Sequence, residues 1–250
     1  MNWLTRSDLN AVYLKKCLNG SFANQEISAV RFPEEHLLEN GIIITLTSKI
    51  NKKLTGFVSL ELELKNISAA VETHRALILL KSKPLDTEVV KGLHLMAASI
   101  DPQLADLISE HQQELEYIGC HKKELQIYNL LHKAGQTCMP HFYGADTDEA
   151  REVYLLLIEH LDYKKLLLIN TENEPEKWTA ELVKAAIQTI SNVHRVLAAN
   201  PVPEGMNTFE PWKAKPLYEK LAQIISKEYD DYDWHPYTEK LFTFIAEMEA

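Results

Sequence analysis

Alternating apolar and polar residues predict β-strands in the first third of the chain. In residues 58–65, apolar side chains at every second position are separated by Ser, Glu or Lys, which is the period of a strand with one buried face. The β-branched run at residues 41–47 predicts a partner strand, and together the two runs predict an antiparallel hairpin. Residues 75–81 are apolar on both faces, so we expect this strand in the middle of the sheet. A shorter apolar run at residues 27–32 ends at Pro33.

Helical spacing replaces this alternation beyond the third strand. Asp101-Pro102 is typical of a helix start, because Asp caps the first turn and Pro fits the first helical position. A second helix is predicted from His121 to about Ala134, and Gly135 is a common signal for a helix end. Two further strands are predicted at residues 140–145 and 153–159.

The last third of the chain has helical patterns. Thr179 is a capping residue for a long helix that extends to about Ala199, has apolar residues along one face and is followed by Pro201. Further helices are predicted over about residues 216–229 and from His235 to the end of the chain.

The order of these elements predicts the fold class and the domain division. Residues 27–159 indicate three strands, two helices and two strands, which predicts an α+β fold with a five-stranded antiparallel sheet and one helix packed inward. The change to helices near Asp162 predicts two lobes. The first, residues 1–161, is a small lobe with an N-terminal helical extension, and the second, residues 162–250, is helical.

Composition narrows the class of protein. Apolar residues make up 46% and charged residues 25%, as in ordinary soluble globular chains. Lys and Arg number 26 against 36 Asp and Glu, and this formal charge of −10 argues against a nucleic-acid partner. The three cysteines are far apart and form no paired motif, which indicates a reducing compartment. No apolar run approaches a membrane helix or a signal peptide, so we expect a cytoplasmic protein without a membrane partner.

Lys81 and Glu124 are the first candidate functional pair. Lys81 ends the predicted central strand, where a lone lysine usually turns to solvent. Glu124 shares a predicted helix face with Tyr128 and Leu131, so it points inward, and an inward carboxylate needs a cationic partner. The pattern therefore predicts an ion pair of the kind with which kinases hold ATP phosphates. The alternative for Glu124 is a boundary position that reaches water.

Two further segments have both a structural and a functional interpretation. The lysine-rich turn with Lys49, Lys52 and Lys53 is either a solvated edge turn or a flap over ATP phosphates. It lacks the Gly-x-Gly-x-x-Gly pattern, so as a flap it would use backbone amides and lysine charge. The apolar strand that leads into Glu159 and Leu161 is either a core strand with its exit turn or a hinge whose backbone pairs with adenine.

Four segments follow one another along the chain: Leu79-Leu80-Lys81-Ser82-Lys83-Pro84-Leu85-Asp86, Lys123-Glu124-Leu125-Gln126-Ile127-Tyr128, Met139-Pro140-His141-Phe142-Tyr143-Gly144-Ala145 and Leu156-Leu157-Ile158-Glu159-His160-Leu161. Their order and spacing resemble the aminoglycoside phosphotransferase and ecdysteroid-kinase-like family, which has a protein-kinase-like fold. Residues 190–194 resemble the family's first large-lobe helix with its inward histidine, His194. The resemblance extends over about residues 27–199.

The resemblance implies the N-terminal part of a kinase, with a small ATP-binding lobe followed by an incomplete helical lobe. It implies that Lys81 and Glu124 anchor ATP and that the hinge at Glu159 and Leu161 holds adenine. The donor would be ATP with Mg²⁺, and the acceptor would be a hydroxyl group of a small molecule.

One departure from the family pattern limits this expectation. The chain has no His-Gly-Asp segment, and the acidic cluster at residues 230–233 has no downstream Asn, so we interpret that cluster as a turn. We therefore expect no catalytic residue and no metal ligand in this chain, and no phosphoryl transfer by it alone. The alternative is a non-catalytic nucleotide-binding, regulatory or interaction protein built on a kinase small lobe. An incomplete helical lobe would expose apolar faces of its last two helices, which predicts self-association or a partner there.

Overall fold

The computed structural model of the chain describes residues 3–18, 20–33, 40–41, 44–45, 48–49, 52–67, 73–115, 117–162, 164, 166, 169, 174–200, 211–228 and 243. The strands are β1 (Gln25–Arg31), β2 (Gly56–Asn66), β3 (Thr73–Ser82), β4 (Phe142–Asp148) and β5 (Val153–Glu159). The helices are α1 (Ala11–Cys17), α2 (Asp86–Ile100), α3 (Pro102–Glu110), α4 (Cys120–Lys133), α5 (Ala180–Ala199) and α6 (Lys215–Glu228).

The strands form one antiparallel sheet in the order β1-β2-β3-β5-β4. The α+β class with a five-stranded antiparallel sheet is therefore confirmed, and so is the central position of β3. In the register of the sheet, Lys81 of β3 lies opposite Phe57 of β2 on one side and Leu156 of β5 on the other. The end of β3 that carries Lys81 is thus flanked by strands on both sides.

One face of the sheet is covered by the N-terminal segment. Leu14 of α1 is fully buried against a core that includes Leu60, Leu80 and Leu155, all of them fully buried. A Cβ added to Gly144 of β4 would collide with the carbonyl oxygen of Cys17, so α1 ends directly against this strand. The apolar residues of the alternating run 58–65 are the side chains that β2 contributes to this core.

The opposite face of the sheet packs against α4. Leu125 of this helix is buried with Phe142, Leu156 and Ile158 of β4 and β5, and Tyr128 packs against the same cluster. The helix therefore lies on the side of the sheet to which Lys81 points. A separate core joins α2, α3 and α6 around the buried side chains Val90, Leu104, Ile108 and Leu217.

The predicted strand at residues 41–47 is wrong where the structure describes it. Ile44 and Thr45 are helical, and the Thr45 N–H donates to the Gly41 carbonyl oxygen at 3.0 Å. The rest of that run lies outside the described residues, apart from Gly41. The edge of β2 is occupied by β1, so the predicted pairing of the β-branched run with β2 does not form, and tertiary pairing overrides its local preference. The lysine-rich segment is consequently not the turn of a hairpin.

The helical predictions have mixed outcomes. The starts of α3 and α5 are confirmed, because Asp101 Oδ1 accepts from the Leu104 N–H at 3.1 Å and Thr179 Oγ1 accepts from the Leu182 N–H at 3.3 Å. Helix α4 also ends where it was predicted to end, before Gly135. Helix α2 was missed. The helix predicted from residue 235 lies outside the described residues, apart from Thr243.

The long helix α5 leaves apolar side chains at the surface. No residue of α5 is buried, and the exposed ones include Val183, Ile187 and Ile190 from its predicted apolar face. Across the described ranges, no helix is both long enough and apolar enough to cross a membrane.

Candidate functional site

Strand alternation places two lysines on one side of the sheet. Lys81 is the last residue but one of β3, and Lys83 follows two positions later, just beyond the strand end. The Lys83 N–H donates to the Tyr154 carbonyl oxygen at 2.9 Å, which holds the chain beside β5 after the strand has ended. Both side chains therefore leave the backbone toward α4, from which Glu124 points back to them.

The carboxylate of Glu124 is shared by the two lysines. Lys81 Nζ donates to Glu124 Oε1 at 2.7 Å, and Lys83 Nζ donates to Glu124 Oε2 at 2.6 Å. The side chains of Lys81, Lys83 and Glu124 are 23%, 16% and 25% exposed, so the cluster is partly buried but still reaches water. The predicted ion pair of Lys81 and Glu124 is confirmed. Lys83 was missed, although its i+2 spacing from Lys81 was a usable signal.

The charges of this cluster do not cancel. Burial alone would raise the pKa of Glu124, but the hydrogen bonds and charges of Lys81 and Lys83 outweigh it and hold that pKa below its ordinary value. Glu124 is therefore ionised at neutral pH. Two ammonium groups and one carboxylate leave an excess of one positive charge in a chain whose formal charge is −10.

The cluster has an aromatic wall on the β2 side. The Phe57 ring centroid lies 5.4 Å from Lys81 Nζ, within the range of a cation–π interaction. The Phe57 N–H donates to Asn40 Oδ1 at 2.9 Å, and Gly56 adopts φ +97° in close contact with Asn40 and Ile44. Asn40 and Ile44 therefore lie against the start of β2, next to the aromatic wall of the cluster.

The lysines of that connection are not part of the cluster. Lys49 lies in a helical stretch and Lys52 has φ +52°, and both side chains are exposed. Lys53 is buried instead, with its ammonium 2.7 Å from Glu88 Oε2 and 3.4 Å from Glu152 Oε2. The charge of Lys53 is therefore paired with carboxylates inside the fold.

Residues 52–55 are nevertheless close to the end of β3. The Ser82 hydroxyl donates to the Leu54 carbonyl oxygen at 2.6 Å, which fixes residues 52–55 next to the strand end that carries Lys81. The solvated-turn interpretation of Lys49 and Lys52 agrees with their exposure, while a flap role for these two residues remains a prediction.

The predicted hinge lies at the end of β5. The Glu159 N–H donates to the His141 carbonyl oxygen at 2.8 Å, and Glu159 Oε2 accepts from the His141 N–H at 3.1 Å. The backbone donor of Glu159 is therefore already engaged by the sheet. Leu161 follows two residues later and is 37% exposed. A contact of the Leu161 backbone with a ligand is compatible with this position.

No family model, curated protein or solved structure matches this chain. The chemical interpretation therefore rests on the geometry of the lysine cluster and on the resemblance of the quoted segments.

The donor set of the cluster suits an oxyanion and does not suit a metal ion. Ammonium groups bind phosphate as point charges, whereas Mg²⁺ requires oxygen ligands. Both oxygens of Glu124 already accept hydrogen bonds from lysines. Within the parts of the chain that the structure describes, no group of three or more His, Cys, Asp or Glu side chains could hold a metal ion. The residues of the cluster therefore do not fit Mg²⁺.

A cavity of about 630 Å³ lies elsewhere, between α2 and α3. His94, which lines it, has Nδ1 3.1 Å from the Ala105 carbonyl oxygen and 3.0 Å from the Ser109 hydroxyl. Both partners of Nδ1 belong to α3, so the His94 ring links α2 to α3. The cavity does not include the lysine cluster.

Proposed function

We propose that this chain binds ATP through the Lys81–Glu124 cluster, on a sheet and helix arranged as in the small lobe of a kinase. The observation that carries the proposal is the 2.7 Å contact between a lysine at the end of the central strand and a glutamate on the helix packed against that strand. In protein kinases, a lysine on the third strand pairs with a helix glutamate and with the ATP phosphates. Here too the lysine belongs to the third strand, and α4 precedes β4 and β5.

The physical role of Glu124 is to position the lysine. A free lysine side chain loses rotamer entropy when it is fixed on a ligand, and the hydrogen bond to Glu124 restricts Lys81 before the ligand arrives. The excess positive charge of the cluster then attracts an anion. The triphosphate of ATP is such an anion, with several oxygens that accept hydrogen bonds.

The adenine end of the ligand would lie toward the end of β5. In the pairing of β3 with β5, Glu159 lies opposite Ile78, and Ile78 precedes Lys81 by three residues along β3. The end of β5 and the lysine cluster therefore lie on adjacent strands. Because the Glu159 N–H is engaged by His141, the backbone of Leu161 is the better candidate to pair with adenine.

Phosphoryl transfer needs groups that position and activate an acceptor hydroxyl, in addition to a bound donor. The resemblance suggests a small-molecule kinase with a hydroxyl acceptor, and this chain would supply its ATP-binding part. The sequence of the chain has no His-Gly-Asp segment. We therefore expect that the chain binds ATP and transfers no phosphate by itself, as a non-catalytic nucleotide-binding protein would also do.

Calorimetric titration of the 250-residue chain with ATP, ADP, AMP and adenosine tests the proposal. Lys81→Ala is expected to weaken ATP binding about 10- to 100-fold, since a charge-assisted hydrogen bond is lost, and to leave adenosine binding unchanged. Lys65→Ala is the matched control, because Lys65 is an exposed lysine near the opposite end of β2. Tight ATP binding that survives Lys81→Ala would contradict the proposed site.

A further inference from the structure

The lysine cluster has more hydrogen-bond donors than its glutamate can use. An ammonium group has three N–H donors and no acceptor. Lys81 and Lys83 each donate once, to separate oxygens of Glu124. In the part of the chain that the structure describes, neither ammonium group makes a further hydrogen bond, so each has donors left. Both side chains are less than a quarter exposed, which limits how well water alone can satisfy these donors.

Among the described residues, Glu124 is the carboxylate that pairs directly with the two lysines. Lys122 is 2.6 Å from Glu149, so these two residues compensate each other. The carboxylate of Asp86 keeps its negative charge, but it accepts hydrogen bonds from the backbone N–H groups of Thr87 at 2.7 Å and Gly119 at 2.9 Å and forms no ion pair with Lys81 or Lys83. His121 is buried beside Asp86, and burial lowers its pKa, so it adds no positive charge at neutral pH. Within the hydrogen-bonded group of Lys81, Lys83 and Glu124, the unbalanced charge is therefore that of the second lysine.

A Lys–Glu pair alone would be neutral and would need no counter-ion. Lys83 changes this, because Glu124 holds both lysines by one carboxylate and both ammonium groups are fixed near the same point. An anion with at least two oxygens could accept hydrogen bonds from both lysines at once. A phosphate group has this form, and its double negative charge matches two ammonium groups better than one.

We infer that Lys83 is a second phosphate-binding residue, and that Lys81 and Lys83 together bind one phosphate group beside Glu124. The inference deepens the proposed function and rests on it only for the nucleotide part of the ligand. The site would accept inorganic pyrophosphate as well as a nucleoside triphosphate, because the lysine pair contacts only phosphate oxygens.

A purely structural role for Lys83 is the competing explanation. In that case Lys83 would only help to compensate Glu124, and its removal would change stability without changing affinity for anions. Lys83→Met separates the two roles, because it removes the ammonium group and keeps the aliphatic side chain, and Lys83→Arg tests whether a restored charge that can donate to phosphate rescues the affinity. Lys133→Met is the matched control, since Lys133 is an exposed lysine at the far end of the same helix as Glu124.

The experiment titrates sodium pyrophosphate, and separately ATP, into the full chain and into the Lys83→Met, Lys83→Arg and Lys133→Met variants. Circular dichroism and thermal unfolding first establish that each variant is folded. We expect Lys83→Met to weaken both ligands about 10-fold or more, Lys83→Arg to retain most of the affinity, and Lys133→Met to match the wild type. Lys83→Met should also reduce the dependence of affinity on salt, because one charge contact is lost.

Each outcome decides between the two claims. Pyrophosphate binding that requires Lys83, with ATP bound no more tightly than pyrophosphate, would support the lysine-pair site and contradict the nucleotide proposal. ATP binding that depends on Lys81 and is unchanged in Lys83→Met would overturn the inference and leave the proposed function standing. Absence of binding for both ligands up to about 1 mM would overturn both. If Lys83→Met fails to fold, Lys83→Gln decides, because glutamine removes the charge and can still donate a hydrogen bond to Glu124: a loss of pyrophosphate affinity of about 10-fold supports the inference, and unchanged affinity overturns it.

Discussion

The ammonium of Lys53 lies 2.7 Å from Glu88 Oε2, and the lysine side chain is only 4% exposed. Glu152 approaches the same ammonium at 3.4 Å, and the Trp3 ring centroid lies 5.0 Å from it. This contact joins the end of the β1–β2 connection to the start of α2 and to the turn before β5. A lysine that the sequence places in a surface turn is therefore a structural link within the fold.

Removal of this link should destabilise the protein. Lys53→Ala leaves Glu88 without its buried ammonium partner, so we expect the free energy of unfolding to fall by about 2–4 kcal/mol. Lys52→Ala removes an exposed neighbouring lysine and should change it by less than about 0.5 kcal/mol. Urea unfolding of both variants measures the difference. Equal stability of the two variants would contradict a structural role for Lys53.

The lowered pKa of Glu124 predicts a pH dependence of stability. Its value in the folded protein is below the ordinary 4.5, so the unfolded chain binds a proton more readily as the pH falls. The stabilising contribution of Glu124 is therefore complete above about pH 4.5 and is lost as the pH falls through the folded pKa. Urea unfolding between about pH 3 and pH 7 should show a steeper acid loss in the wild type than in Glu124→Gln. The same slope in both proteins would contradict this prediction.

Gly144 is expected to be required where α1 meets β4. Gly144→Ala would place a methyl group against the carbonyl oxygen of Cys17, and backbone atoms must move to accommodate it. We expect a loss of about 1–3 kcal/mol in the free energy of unfolding, in the range of overpacking substitutions. Gly41→Ala is the control, since a Cβ there meets nothing within 4 Å. If both variants unfold at the same urea concentration, the contact of α1 with β4 is not as described.

The exposed apolar face of α5 gives a prediction about association. Ile187 is 62% exposed, so Ile187→Ser should change the free energy of unfolding by less than about 0.5 kcal/mol. If this face of α5 mediates self-association, the variant should sediment as a smaller species than the wild type at the same concentration. A large loss of stability would mean that Ile187 is buried in the folded protein.

The sequence predicted those parts of the fold in which a local pattern and the tertiary structure agree. The apolar run of β3 predicted its central position, and the packed face of α4 predicted the contact of Glu124 with Lys81. Both inferences use only the side-chain period of one element. Thr179 predicted the start of α5 because capping is also a local interaction.

The missed elements depend on contacts that are distant in sequence or on weaker local signals. Residues 41–47 have the composition of a strand, but β1 already pairs with the available edge of β2. Helix α2 begins after Leu85, which is not a capping residue. The cap comes instead from Glu88, whose carboxylate accepts from the Leu85 N–H at 2.8 Å. Lys83 could have been found, since i and i+2 share a face of a strand.

Labelling with an acyl-phosphate derivative of ATP tests the central claim most directly. The lysine amine nearest the phosphates attacks the acyl carbon and becomes acylated, while ATP leaves, and mass spectrometry of the digested chain then identifies the labelled residue. The account predicts labelling at Lys81 or Lys83 that excess ATP prevents and that Lys133 does not show. Labelling spread over exposed lysines such as Lys49 and Lys52, and unaffected by excess ATP, would contradict an ATP site at Glu124.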